Sequence, residues 1–200
     1  MLGHRLAQAP KPSESKLRPT ASHKCFHGAV AVGSGLSIDD RGEAVEARPP
    51  RSGIRQVKRE IRILALAWFP AGEGSLEFVG VVFRGGLWLD GFIRARACRE
   101  PGVLERDLSQ AVRNSPHYGQ IRLIMSPLAC MGVKLPFDAP ILVEKTGLPV
   151  ILYASSSGGV KPFGLSSEAA ATIVAESCAF WRKPEPLRVA ALIAGAVKNM

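Results

Sequence analysis

An apolar run that stops at Arg84, breaks on Gly85-Gly86 and restarts at Leu87 constrains the fold of this chain more than any other feature. Residues 79–91 read Val-Gly-Val-Val-Phe-Arg-Gly-Gly-Leu-Trp-Leu-Asp-Gly, which predicts two strands meeting at a tight Gly-Gly connection. So short a link joins antiparallel neighbours, because a parallel return needs a crossover of a dozen or more residues. The two predicted strands are Leu76–Arg84 and Leu87–Ala97. A strand over Glu60–Ala67 precedes them and becomes fully apolar after Arg62. The stretch Phe92-Ile-Arg-Ala-Arg96 suggests an outer segment whose basic side chains reach water.

The period then changes. Leu104, Leu108, Ala111 and Val112 stand at i, i+4, i+7 and i+8, the apolar stripe of an amphipathic helix, and Pro116 ends it. Gln120–Met125 reads as a buried strand. Asp138 is an N-cap for a helix to Thr146, with Pro140 in its first turn and Gly147 at its C-cap. Pro149–Tyr153 is a fifth strand with its proline where a ladder donor matters least, and residues 155–159 form a loop. Ser166 or Ser167 caps an Ala-rich helix through Phe180, and Leu187–Val197 is a final helix. Three meandering strands followed by helix–strand–helix–strand–helix is the order of an α/β, ribonuclease-H-like mixed sheet.

Composition sets the bounds around that core. In 200 residues, 46% are hydrophobic and 22% charged, which fits one packed domain. Residues 1–53 differ: they carry Pro10, Pro12, Pro19, Pro49 and Pro50, and Gly28–Val32 is too short an apolar patch to close a core. They read as a disordered N-terminal extension, a start assigned too far upstream, or an arm that folds on a partner; residues 54–200 are the domain. A net charge of +9 favours acidic partners, nucleic acid first, although basicity also serves plain solubility. Cys25, Cys98, Cys130 and Cys178 form no CxxC pair and suit a reducing cytoplasm, the last three as small core residues. No uninterrupted apolar run of about 18 residues points to a membrane span, and the first residues do not resemble a secretory signal.

The wording of the Val79–Gly91 block resembles the mostly archaeal domain-of-unknown-function family ninety-nine, also called endonuclease dU, a distant relative of endonuclease V. Supporting pieces are Lys58-Arg-Glu-Ile-Arg62, His117-Tyr-Gly-Gln-Ile-Arg122 and Thr146-Gly-Leu-Pro-Val150, with weaker echoes in Pro186–Val197. The resemblance implies an endonuclease-V-like fold and an ancestral metal-dependent nicking of DNA or RNA near a deaminated base. It also implies magnesium or manganese held by clustered carboxylates at strand ends, which activate water and neutralise the phosphate. Family members end their first strand in an acidic pair, where this chain has Ala67 and Trp68. They carry an acid after the fourth strand, where this chain has Ser126. Asp90 survives in its block and is the candidate catalytic and metal-binding residue. Glu73 and Glu77 lie near enough in sequence to serve as replacement ligands, although magnesium needs hard oxygen ligands in the right number and geometry.

Other constellations are weaker. His23, Cys25 and His27 alternate as zinc-type ligands but fall short of a four-ligand spacing. Gly33-Ser-Gly35 lacks a third glycine and the Gly-Lys-Ser ending of a phosphate loop. The 155–159 loop could offer amides to an anion or serve as a plain connection. His117 reads as a surface loop residue with nothing in sequence to orient it. If several of Arg84, Arg94, Arg96, Arg99, Arg113 and Arg122 share a face, they can contact phosphates without a metal. Trp88 and Trp68 could stack on a flipped or single-stranded base, or bury in the core. The expectation is therefore a nuclease fold with weakened or lost chemistry, binding nucleic acid through Arg84, Gly85, Gly86, Trp88 and Arg122 or standing in a repair assembly. A structural or interaction protein with no nucleic-acid role is the alternative.

Overall fold

The computed structural model describes residues 60–179 and 183–200. The extension at residues 1–53, the His23/Cys25/His27 set and Gly33-Ser34-Gly35 lie outside the described residues. The apolar stretch after Arg62 forms strand β1 (Arg62–Pro70), followed by β2 (Ser75–Arg84) and β3 (Trp88–Cys98). Helix α1 (Val103–Arg113), β4 (Leu123–Pro127) and a small hairpin, β5 (Ala129–Cys130) with β6 (Val133–Lys134), come next. The chain closes with α2 (Ala139–Thr146), β7 (Val150–Tyr153), β8 (Val160–Phe163), α3 (Ser167–Glu176) and α4 (Glu185–Lys198).

Among the described residues, the main sheet has six strands in the order β3-β2-β1-β4-β7-β8. β1, β2 and β3 meander antiparallel, whereas β4 lies parallel to β1 and β7 parallel to β4. This is the ribonuclease-H-like arrangement expected from segment order. Among the described residues, no helix is long and apolar enough to cross a membrane.

Alternation along the strands divides the sheet into two buried faces. Leu64, Leu66, Phe78, Gly80, Ile93 and Ala95 share a face with Leu108, Ala111 and Val112 of α1 around a small apolar cavity. Ile63, Ala65, Ala67, Val79 and Val81 occupy the other face and are fully buried. α4, which packs along β1 and β2, covers them. Small side chains permit that close approach: Ala65 and Ala67 on the strand, and Ala190 and Ala194 on the helix, are all buried.

Local chemistry fixes the element ends. Gly102 N donates to Glu105 Oε2 at 2.9 Å, and Glu105 Oε1 also accepts from Asp138 N at 2.9 Å, so one buried carboxylate ties the starts of α1 and α2. Asp138 Oδ1 accepts from Ile141 N at 3.1 Å, and Gly147 takes the left-handed conformation at φ 66°, as the capping pattern predicts. Ser166 Oγ accepts from Ala169 N at 3.2 Å at the start of α3.

Several boundaries differ from the sequence reading. β1 runs on through Trp68 and Phe69. β4 starts at Leu123, because Gln120 N and Ile121 N turn back onto His117 O at 2.8 and 3.0 Å. β8 lies in residues 160–165, to which the sequence reading assigns no element; it carries Pro162, which an edge strand tolerates because its missing donor faces no neighbour. α3 stops at Glu176, where Ser177 N closes the last turn onto Ile173 O at 3.0 Å.

Arg188 beside Glu185 holds that carboxyl below the ordinary carboxylate range, against the opposing effect of burial. The ion pair (2.6 Å) sits in the first turn of α4, where a negative charge also meets the helix dipole. A folded-state value below the unfolded one contributes stability above the ordinary carboxylate range and loses it as pH falls through the depressed value. Glu185→Gln is therefore expected to lower the melting temperature at about pH 7, and by progressively less as the pH falls below the ordinary carboxylate range.

Candidate nucleic-acid interface

The sequence-derived residues sort to two ends of the sheet. One end is the carboxyl end of β1 and β4, where Ala67, Trp68 and Ser126 stand. Trp68 is fully buried, with its ring 6.2 Å from Phe78 and 6.0 Å, edge on, from Phe137. Ala67 lies on the opposite face, under α4, and Ser126 is buried with Oγ donating to Pro127 O at 3.2 Å. Cys130 is buried next to this cluster; burial pushes its thiol up, partly offset by a hydrogen bond with the Trp68 backbone.

Divalent-metal chemistry at this end would need carboxylates converging on a cleft. Trp68, Phe78 and Phe137 fill the space with apolar rings. Glu73 is exposed in the β1–β2 turn. Glu77 shares the face of Ala67, pairs with Arg94, and has Oε2 3.5 Å from Arg96 Nη2. Among the described residues, no three His, Cys, Asp or Glu side chains converge as metal ligands. The residues present at this end do not fit a magnesium or manganese site.

The opposite end gathers Asp90, Arg84, Gly85, Gly86, Trp88 and Arg122. Trp88 is the register partner of Arg84, and Arg84 the partner of Arg62. Arg122 N donates to Arg62 O at 2.9 Å, immediately before Leu123 pairs with Ile63. Strand alternation therefore sets Trp88, Arg84 and Arg62 side by side on one face across three adjacent strands, and Arg122 meets Arg62 through its backbone in the lead-in to β4. At about 4.8 Å per strand the row, with Arg122, spans roughly 14 Å. It lies about 16 Å along β1 from Ala67, at about 3.3 Å per residue.

Asp90 enters this row through a bulge. The β2–β3 register shifts between Val82 and Phe83, so Asp90 is an extra residue between Leu89 and Gly91. Its Oδ2 accepts from Arg62 Nε at 3.0 Å, and Oδ1 lies 3.6 Å from Arg84 Nε. Arg84 Nε is buried and makes no hydrogen bond among the described residues. The carboxylate thus stands between two arginines, in a row about 13 Å from Ser126 along the direction of β4, at about 3.3 Å per residue.

The glycines make these approaches. Gly85 has φ 60°, and a Cβ on Gly86 would lie 2.9 Å from Glu176 O, so the turn rests against the end of α3. A Cβ on Gly91 would lie 2.4 Å from His117 Nε2. His117 is therefore not the free surface residue expected from sequence: its ring packs on the β3 backbone beside the bulge. Gly91→Ala is expected to cost about 1–3 kcal/mol through overpacking. His117→Ala in the same chain should recover most of that loss, as a double-mutant cycle by urea unfolding would read.

Arg94 and Arg96 lie on the other face with Phe92, and Trp88 and Phe92 are 62% and 45% exposed. The sequence reading placed Arg84 and Arg122 among the nucleic-acid contacts but omitted Arg62, the arginine between them. Its signal was the single charge opening an otherwise apolar strand.

No family model matches the chain. It is 35% identical over 96 residues to a UPF0215 protein of Methanosarcina acetivorans, covering 48% of this chain and 49% of the relative. It is 37% identical over 102 residues to a UPF0215 protein of Methanothermobacter thermautotrophicus, covering 50% of each. The matched region thus spans about half the length of these curated relatives. Among solved structures, a protein of unknown function from Archaeoglobus fulgidus aligns with a TM-score of 0.56 and 20% identity, covering 68% of this chain and 98% of that one. That likeness is one of fold. Human endonuclease V aligns with a TM-score of 0.47 and 14% identity, covering 70% of this chain and 84% of that one.

Proposed function

We propose that this chain is a diverged member of the endonuclease dU lineage that binds nucleic acid and has lost, or nearly lost, metal-dependent nicking. The observation that carries this reading is the row of Trp88, Arg84 and Arg62 on one face, with exposed Arg122 adjoining Arg62 in the lead-in to β4. The guanidinium groups of Arg84, Arg62 and Arg122 outnumber the Asp90 carboxylate that pairs with the first two, and each presents a planar fork suited to phosphate oxygens. Phosphate contacts of this kind position a polynucleotide without any catalytic metal. Asp90, proposed from sequence as a metal ligand, is better suited here to holding Arg62 and Arg84 in place. The aromatic cluster around Trp68 supports the loss of chemistry at the other end.

Salt titration tests the binding. Affinity for a labelled oligonucleotide should fall steeply with salt, each phosphate contact contributing a log–log slope of about 0.7 to 0.9. Salt-independent binding, or none, contradicts the reading.

Exposed Leu87 in the β2–β3 turn, with exposed Leu89 and Phe92 on the edge strand, favours a second reading, a protein-interaction surface. That role predicts little response to nucleic acid and self- or partner association that survives high salt.

A further inference from the structure

We infer that the ligand of the arginine row is a single-stranded polynucleotide, with an unpaired base lying on Trp88 and neighbouring phosphates on Arg84, Arg62 and Arg122. This rests on the nucleic-acid reading and narrows it.

The argument begins with Trp88. It belongs to an edge strand, is 62% exposed, and stands in register with Arg84. An indole of that exposure is an apolar platform left in water beside cationic groups. Duplex nucleic acid offers such a surface only phosphates, sugars and groove edges, because its base faces are stacked on one another. An unpaired base offers a π-face, and stacking on an aromatic side chain is the usual means by which single strands are held without sequence preference.

Shape agrees with charge. The row spans roughly 14 Å across the strands, a length for a few nucleotides and short of the broad surface a duplex covers. Among the described residues, Trp88, Arg84 and Arg62 stand at strand ends, and Arg122 directly precedes a strand. Asp90 engages Arg62 and Arg84 on the Nε side, and each guanidinium has further N–H donors for phosphate oxygens. The bulge is essential to this geometry: by placing Asp90 among Arg62 and Arg84, it sends Phe92, Arg94 and Arg96 to the other face.

The test is fluorescence anisotropy with the full chain. The probes are a labelled oligodeoxyuridylate, the matching oligouridylate and a blunt hairpin duplex of equal phosphate number, with inorganic polyphosphate as a base-free competitor. Both single strands are expected to bind at least about tenfold tighter than the hairpin. Trp88→Ala, at an exposed position, should weaken single-strand binding about tenfold and leave polyphosphate competition within about twofold. Whichever single strand binds tighter identifies the preferred sugar, and either preference supports the inference. Hairpin binding equal to single-strand binding, or a Trp88→Ala loss equal for polyphosphate and oligonucleotide, overturns it while leaving nucleic-acid binding standing. No binding to any polynucleotide overturns both readings.

Discussion

Replacing Arg62, Arg84 and Arg122 together by glutamine is expected to cut single-strand affinity about a hundredfold at about 0.1 M salt. Each phosphate contact to a single strand contributes a slope of about 0.7 in log K against log salt. Over the decade from about 1 M to about 0.1 M, three contacts therefore supply about two log units. The salt slope of the variant should be shallower by about 2. Asp90→Asn belongs in the same chain, because removing both guanidinium partners would leave a half-buried carboxylate unpaired. A melting temperature close to that of the parent separates lost contacts from lost fold. Arg94→Gln with Arg96→Gln is the comparison: those arginines pair with Glu77 on the other face, so the loss should be several-fold at most.

The second large effect is on stability. Trp68→Ala should destabilise the domain by about 3–5 kcal/mol, because a large buried ring leaves a cavity between Phe78 and Phe137. Those two rings are already in contact, with centroids 6.5 Å apart, so neither can fill the vacated space without moving β2 or the segment before α2. Trp68→Phe should cost much less. The indole Nε1 is buried without a hydrogen bond, so phenylalanine removes an unpaired donor together with some volume. Urea unfolding of the two variants reads the difference directly. Trp68→Asp should be at least as destabilising as Trp68→Ala, since a lone carboxylate there would be buried among aromatic rings.

Much of this fold was legible in the sequence because its signals are local. The Gly85-Gly86 break, the Leu104–Val112 stripe and the Asp138/Gly147 caps each act over a few residues, and each element formed close to where it was read. The β5–β6 hairpin and β8 escaped because two- and four-residue strands have no periodicity to read. The Ala67, Trp68 and Ser126 positions were visible by resemblance, but their burial under α4 and Phe137 depends on contacts distant in sequence.

The arginine row escaped for a different reason. Arg62, Arg84 and Arg122 are far apart in the chain and meet only through the register of β1 with β2 and β4. Simple alternation along β3 puts Trp88, Asp90, Phe92, Arg94 and Arg96 on one face. The bulge at Asp90 separates the first two from the rest, and one inserted residue has no signature apart from the adjacent glycine.

One measurement tests binding without cutting most directly. Labelled uracil- and inosine-containing oligonucleotides are incubated with purified protein in magnesium or manganese, and each sample is read on a native and a denaturing gel. The predicted result is a shifted band whose strand remains intact in both metals. Metal-dependent nicking that disappears in Asp90→Ala would contradict the account and place a working active site at the arginine row.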